Sequence, residues 1–150
     1  MAEFTEGQEL PELRVTPDRF LTVRYAGASG DFNPIHIDEE FAKSVGLPGK
    51  ILHGLYTMAQ VARAQTDAGG GPESLKRLKV QFRGMGLPEQ EIVVTSKVVE
   101  VTDGVARVET AAEQNGSQPP ALQQLPKPAG CSPPQQRALR KRGKIGRAHV

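Results

Sequence analysis

Residues 53–68 read HGLYTMAQVARAQTDA, and this stretch decides the fold that we predict. Its apolar side chains are spaced so that they cover most of the circumference of a helix. A helix that is apolar on most sides is normally buried. The sequence GGGP at residues 69–72 combines flexible and helix-breaking residues, which predicts the end of the helix. We therefore expect one buried central helix over about residues 53–68.

The apolar pattern changes from a helical to a strand period after this helix. Residues 92–101 read IVVTSKVVEV, a long β-branched run, and a third run at residues 104–112 follows the turn signal Asp103-Gly104. An earlier strand is predicted from the apolar residues between Leu75 and Phe82. One buried helix before a run of antiparallel strands predicts an α+β domain, in which the sheet wraps around the helix.

Shorter elements are predicted before the central helix. Residues 13–15 predict a short strand, and Thr16 with Pro17 fits the start of a helix over about residues 18–26. Asp38 predicts the cap of another short helix, over residues 39–45, that Gly46 ends.

The bulk composition is that of one globular domain. The chain has 150 residues, of which 37% are hydrophobic, and no run approaches the roughly 18 consecutive apolar residues of a membrane span. The first ten residues lack the basic and apolar regions of a signal peptide. The single cysteine, Cys131, excludes an intramolecular disulfide. We therefore expect a reducing, cytoplasmic setting.

Charge is distributed unevenly between the body and the tail. Residues 117–150 carry seven Lys or Arg and no acidic residue, which leaves 12 basic and 17 acidic residues in 1–116. Such a tail can bind nucleic acid or acidic partners, but a solvated segment is the simpler interpretation. We accordingly predict neither a nucleic-acid nor a membrane partner.

A polar cluster lies in the loop between Tyr25 and Asp38, which reads YAGASGDFNPIHID. Its glycines permit unusual backbone angles and its proline fixes one, so we expect the loop to have a defined shape. Asp31 and His36 lie five residues apart, and a turn can bring them together. A histidine with a tuned carboxylate suits proton transfer to and from one water. Alternatively, Asp31 and Asn33 only form turns, and His36 is a hydrogen-bonded, half-buried side chain.

A second candidate lies at His53-Gly54, where the central helix is predicted to begin. Backbone N–H groups at a helix N-terminus favour negative charge, so Gly54 suits an oxyanion. Alternatively, Gly54 only permits close packing, and His53 only starts the helix. Thr57, on the first turn, faces either a substrate or the core.

These two motifs carry a family resemblance. YAGASGDFNPIHIDEEFA from Tyr25 and GLPGKILHGLYTM from Gly46 resemble the signature of the MaoC-like, or hydratase 2, family. Within it, the chain is similar to bacterial (R)-hydroxyacyl dehydratases of fatty-acid elongation, including mycobacterial B-type subunits. The resemblance covers about residues 4–116 and implies a single hotdog fold, with a sheet around a long central helix. It also implies association of two hotdogs, as a homodimer or a heterodimer.

The resemblance implies reversible syn hydration of a trans-2-enoyl thioester of CoA or acyl carrier protein. In that reaction Asp31 and His36 would be the catalytic pair, and the Gly54 N–H would be the oxyanion donor. Asn33 would help to position the water or the substrate. Beyond the resemblance, we expect His53 and Thr57 as further substrate contacts. No metal or redox cofactor would be required.

Two other functions remain open from the residues alone. One is a non-catalytic, acyl-thioester-binding partner subunit, against which the retained Asp31 and His36 argue. The other is a hotdog thioesterase, which commonly has a carboxylate on the central helix. Asp67 at the far end is the only acidic residue between positions 53 and 68, so this function is disfavoured.

The predicted domain organisation places the hotdog at residues 1–116. Residues 117–142 are rich in Pro, Gln and Arg without an apolar period, which predicts an insertion or a disordered segment. Residues 143–150, GKIGRAHV, then form a closing strand. The alternative is that this tail is unrelated sequence and that the sheet lacks one edge.

Overall fold

The computed structural model describes residues 3–114 and 147–149, with side chains described up to residue 114. The helices are α1 (Leu21–Ser29), α2 (Pro34–Ile37), α3 (Glu39–Ser44) and α4 (Gly54–Gly69), and a 3-10 helix spans Pro72–Ser74. The strands are β1 (Leu13–Val15), β2 (Lys79–Val80), β3 (Ile92–Thr102), β4 (Val105–Gln114) and β5 (Arg147–His149). The predicted segment 117–142 lies outside the described residues.

Helix α4 is the predicted central helix, and the α+β prediction is confirmed. The helix ends at Gly70, whose φ of 87° is a left-handed conformation that glycine adopts without strain. One face of α4 packs on β3 and β4, and the main core forms there. Its buried members are Leu52, Val61, Ala64, Ile92, Val94 and Ala112.

The expectation that α4 is buried on most sides is wrong for the single chain. Only Val61, Ala64 and Gln65 are buried along the helix. Leu55 is 55% exposed, and Ala59 one turn later is also exposed. The apolar circumference that the sequence shows therefore exceeds what one sheet covers.

The five strands form one antiparallel sheet in the order β1-β3-β4-β5-β2. A tight turn at Asp103 and Gly104, with φ of 51° and 75°, joins β3 to β4, as the sequence predicts. Strand β5 lies within residues 143–150 and pairs on one side with β4 and on the other with β2. The strand nearest the C-terminus, β5, is thus an inner strand of the sheet.

Two predicted element boundaries are wrong, for local reasons. Helix α1 begins at Leu21 because Asp18 Oδ1 accepts the Phe20 N–H at 2.8 Å, which makes a turn before the helix. The strand predicted between Leu75 and Phe82 is reduced to β2, since only residues 79–80 find a pairing partner. Within the described residues, no helix combines the length and the apolar character needed to cross a membrane.

Candidate active site

The loop after α1 carries Asp31 and is shaped by local hydrogen bonds. Gly30 ends α1 with φ of 76°, which reverses the chain. The Asp31 N–H donates to Ser29 Oγ at 3.2 Å, and Asp31 Oδ1 accepts the Asn33 N–H at 3.2 Å. The Asp31 side chain is exposed. The turn-forming role that the sequence offered as an alternative therefore coexists with a carboxylate that solvent can reach.

Asn33 lies at the N-terminus of α2 and caps it. Its Oδ1 accepts the Ile35 N–H at 3.3 Å, and Pro34 occupies the first helical position. The short helix that follows was not predicted. It matters because it turns His36 inward from a loop whose other polar side chains are exposed.

His36 is held by a backbone carbonyl from the segment before α4. Its side chain is buried, and Nδ1 lies 2.8 Å from the Ile51 oxygen. Since a carbonyl only accepts hydrogen bonds, Nδ1 carries the proton of the neutral ring. Nε2 then presents its lone pair, which is the form required of a proton acceptor. The Ile51 N–H also donates to the Ile35 oxygen at 3.1 Å, which ties the two segments together.

His53 lies beneath His36 and is almost completely buried. The two imidazole rings stack with centroids 3.9 Å apart and an interplanar angle of 26°. The ring of Tyr25 lies 4.7 Å from the ring of His53, and His53 Nε2 lies 3.0 Å from the Asp31 carbonyl oxygen. His53 therefore contacts both predicted catalytic residues: the ring of His36 and the backbone of Asp31.

The three polar groups come together as one cluster. A carboxylate oxygen of Asp31 and one ring nitrogen each of His36 and His53 all lie within 4.8 Å of one another. These residue types also bind metals, but the lone pairs of imidazole lie in the ring plane. Stacked rings direct those lone pairs along nearly parallel planes and not towards one point. The arrangement suits proton transfer better than metal coordination.

Gly54 is the first residue of α4, and its side-chain position is closed by an aromatic ring. A Cβ at residue 54 would lie 3.3 Å from a ring carbon of Phe82. The first N–H groups of a helix have no intrahelical acceptor, and the His53 side chain does not cap this one. The Gly54 backbone is exposed, so a bound oxygen can reach it. Phe82 is 53% exposed, and no pattern in the sequence predicts that it contacts Gly54.

Thr57 and Tyr56 extend the site along the first turn of α4. Thr57 is half-buried and lies on the same helix face as Gly54, three residues earlier. Burial raises the pKa of the Tyr56 phenol, and the negative charge of Asp18 adds to this effect. Tyr56 therefore stays a neutral hydroxyl at physiological pH, edge-on to Tyr25 with ring centroids 6.1 Å apart.

A family model for the MaoC like domain matches residues 4–118. This match covers most of the chain, and the chain belongs to the MaoC-like domain family. The resemblance inferred from the two sequence motifs is confirmed.

The named relatives include fatty acid synthase beta subunits and an enoyl-CoA hydratase. The fatty acid synthase beta subunit TOXC of Cochliobolus carbonum is 37% identical over 98 residues, which are 61% of this chain and 5% of that protein. The peroxisomal enoyl-CoA hydratase 2 of Arabidopsis thaliana is 36% identical over 84 residues, which are 55% of this chain and 26% of that protein. The chain thus spans only a small part of the curated relatives that it matches.

Solved structures confirm the hotdog fold. The ChsH1-ChsH2 complex from Mycobacterium tuberculosis matches with a TM-score of 0.72 at 21% identity, over 99% of this chain and 96% of that chain. The R-hydratase PhaJ1 from Pseudomonas aeruginosa matches with a TM-score of 0.69 at 19% identity, over 98% and 81%. At these identities the likeness concerns the fold.

Proposed function

We propose that this protein is an (R)-specific enoyl-thioester hydratase, also acting in reverse as a 3-hydroxyacyl-thioester dehydratase. The observation that carries the proposal is the cluster of Asp31 and His36 beside the N-terminus of α4. A proton-transfer pair and an unsatisfied backbone donor are the two groups that hydration of an enoyl thioester requires. The family membership supports the same reaction, since its named members include hydratases and dehydratases.

In the hydration direction, Asp31 and His36 hold one water between them. His36 Nε2 accepts a proton from this water as its oxygen attacks the β-carbon of the enoyl group. The exposed Asp31 carboxylate accepts a hydrogen bond from the same water and fixes its orientation. The pair then returns a proton to the α-carbon, so that one water has been added and neither residue is changed.

Negative charge develops on the thioester oxygen during this attack, and the Gly54 N–H donates to it. The positive end of the α4 dipole adds to the stabilisation. A preorganised donor of this kind is worth about 3–4 kcal/mol in comparable oxyanion holes. Asn33 caps α2, which carries His36, and Thr57 lies three residues after Gly54 on α4, and we propose that both contact the substrate.

The decisive experiment is hydration of crotonyl-CoA by Asp31→Asn and His36→Gln variants. Each should lower kcat by at least about 10²-fold, the usual contribution of general acid–base catalysis. Asp38→Asn is the matched control, because Asp38 only caps α3 through the Phe41 N–H at 2.9 Å. Activity in either site variant close to that of the wild type would refute the mechanism.

A second subunit is the natural complement of this site. Asp31 is exposed, and the apolar side chains around the cluster are half exposed in the single chain: Phe32 59%, Leu55 55% and Phe82 53%. We propose that a second hotdog, identical or different, covers them. Mass measurement in solution, alone and with candidate partner chains, tests this.

The alternative of a non-catalytic partner subunit is favoured by one observation. The chain is similar over nearly its whole length to a subunit of the ChsH1-ChsH2 complex. Hydration by the purified protein alone, across short and long enoyl-CoAs, separates the two functions. Two results together would favour the alternative. The purified protein would show no turnover until another subunit is added, and substitution of Asp31 would not affect the activity of that mixture.

A further inference from the structure

The His53 ring packs against two other rings at the base of the site. It is 2% exposed, with the His36 ring on one face at 3.9 Å and the Tyr25 ring at 4.7 Å. A side chain this deep has little surface left for an acyl thioester. The substrate contact expected for His53 is therefore disfavoured by its burial.

The edge of the His53 ring bonds to the backbone of Asp31. His53 Nε2 lies 3.0 Å from the Asp31 carbonyl oxygen, and because a carbonyl only accepts, Nε2 carries the proton. Nδ1 must then hold the lone pair. Among the described residues this nitrogen is buried without a hydrogen-bond partner. An unpartnered buried polar atom costs stability and calls for an explanation that packing alone does not provide.

We propose that His53 is a positioning residue that fixes the distance between the two catalytic groups. This inference rests on the proposed hydratase function. The face of the His53 ring sets the plane of His36, and its Nε2–H holds the backbone that carries Asp31. One rigid ring thereby couples two residues that otherwise belong to separate turns. An apolar ring would keep the stacking but lose the hold on Asp31.

Two variants separate these contacts. His53→Phe keeps a ring under His36 and removes the donor, whereas His53→Gln keeps an N–H donor and removes the ring. Each should lower kcat for crotonyl-CoA hydration by about 10²-fold, the cost of a misplacement near 1 Å, with KM changed less than about threefold. Asp67→Asn, an exposed residue at the far end of α4 paired with Arg63, is the control and should match the wild type.

A spectroscopic readout tests the inference without activity. In the wild type, ¹⁵N NMR should show neutral His53 protonated at Nε2 and neutral His36 protonated at Nδ1. In His53→Gln the His36 signal should broaden or change tautomer, because the His36 ring has lost its stacked support, whereas in His53→Phe, which keeps a ring there, it should change little. Circular dichroism establishes whether each variant is folded. If a variant is not folded, the histidine tautomers of the wild type test the inference.

Three results would overturn the inference. They are a raised KM at unchanged kcat, which indicates a substrate contact; an unaltered His36 signal in folded His53→Gln; and a wild-type His53 protonated at Nδ1. A wild type that shows these tautomers but does not hydrate enoyl-CoA would instead refute the proposed function.

Discussion

Helix α4 contacts two polar clusters, one at its first residue and one three turns further along. The second consists of Gln65, Ser96 and Thr110, all buried. Gln65 Nε2 donates to Ser96 Oγ at 2.8 Å and to Thr110 Oγ1 at 3.0 Å, and these hydroxyls bond to each other at 3.1 Å. Here both amide hydrogens are used within the cluster.

The cluster at the start of α4 has the opposite character. His53 Nδ1 is buried without a partner among the described residues, and the Asp31 carboxylate reaches solvent. Polar groups that serve the fold satisfy one another, whereas groups that serve chemistry leave hydrogen-bonding capacity for a ligand. The two clusters should therefore respond to substitution in different measurements, the first in activity and the second in stability.

The largest effect is expected from Gly54→Ala. The new Cβ would lie 3.3 Å from the Phe82 ring, so either the ring or the start of α4 must shift. We expect kcat to fall by up to about 10²-fold with little change in the unfolding free energy, because an oxyanion donor that is lost from its proper alignment costs about that much. Steady-state hydration kinetics measure the first and urea unfolding the second.

The matched variant for Gly54→Ala is the double substitution Gly54→Ala with Phe82→Leu. Removing the ring gives the methyl group room and should restore part of kcat. A double variant as slow as the single one would show that the contact with Phe82 is not the cause.

Removal of residues 143–150 should destabilise the fold around the second cluster, because it removes the strand that pairs with Thr110. Thr110 pairs with Ala148 of β5, and β5 also pairs with β2. Cross-strand pairs contribute roughly 0.2–1 kcal/mol each, so we expect a loss of about 1–3 kcal/mol in unfolding free energy. A truncated protein with an unchanged melting temperature would refute the proposed closing strand and favour an unrelated tail.

Gln65→Leu should lower the unfolding free energy by about 1–3 kcal/mol, because two buried hydrogen bonds are lost while Ser96 and Thr110 remain. Hydration activity should persist at temperatures where the variant is folded. The control is Gln60→Leu on the same helix, because Gln60 Oε1 is buried without a partner among the described residues. Its removal should be neutral or slightly stabilising, and equal losses in both variants would contradict this account.

The smallest effect is expected from Glu39→Gln. The Lys50 backbone N–H, at 3.1 Å, and the Lys43 ammonium lower the pKa of the Glu39 carboxyl. Because the folded state favours the charged form, the contribution to stability is present above the ordinary pKa of about 4.3 and is lost as pH falls. Thermal unfolding should show a small stability deficit for the variant at neutral pH that disappears as the pH falls through the lowered pKa of the Glu39 carboxyl. A stability deficit that persists at low pH would show that it arises from packing and not from the charge of Glu39.

The sequence predicted most of the fold because its strongest signals are local. The β-branched run of β3, the turn at Asp103-Gly104 and the apolar helix α4 each depend on neighbouring residues. The predicted start of α1 was wrong because the Asp18 side chain accepts the Phe20 N–H and forms a turn before the helix. The burial of α4 was overestimated because an apolar helix surface in the sequence does not show how much of that surface the same chain covers.

The candidate site was predictable in its residues but not in its arrangement. The motifs named Asp31, His36 and Gly54, and the structure gathers them around the start of α4. The stacking of His53 and the place of Phe82 depend on contacts between distant segments. Spacing along the chain carries no information on such contacts.

The position of β5 has a consequence for the order in which a nascent chain can fold. Within the described sheet, β2 pairs with β5, and Lys79 lies opposite His149. While the ribosome is still making the residues between β4 and β5, α4 and the β3–β4 hairpin can already pack, since β4, the last of these elements, ends at Gln114. Strand β2, and with it Phe82 two residues later, must wait. We expect the newly made chain to bury His36 and His53 first and to place the Phe82 ring against Gly54 only after residue 149 has emerged.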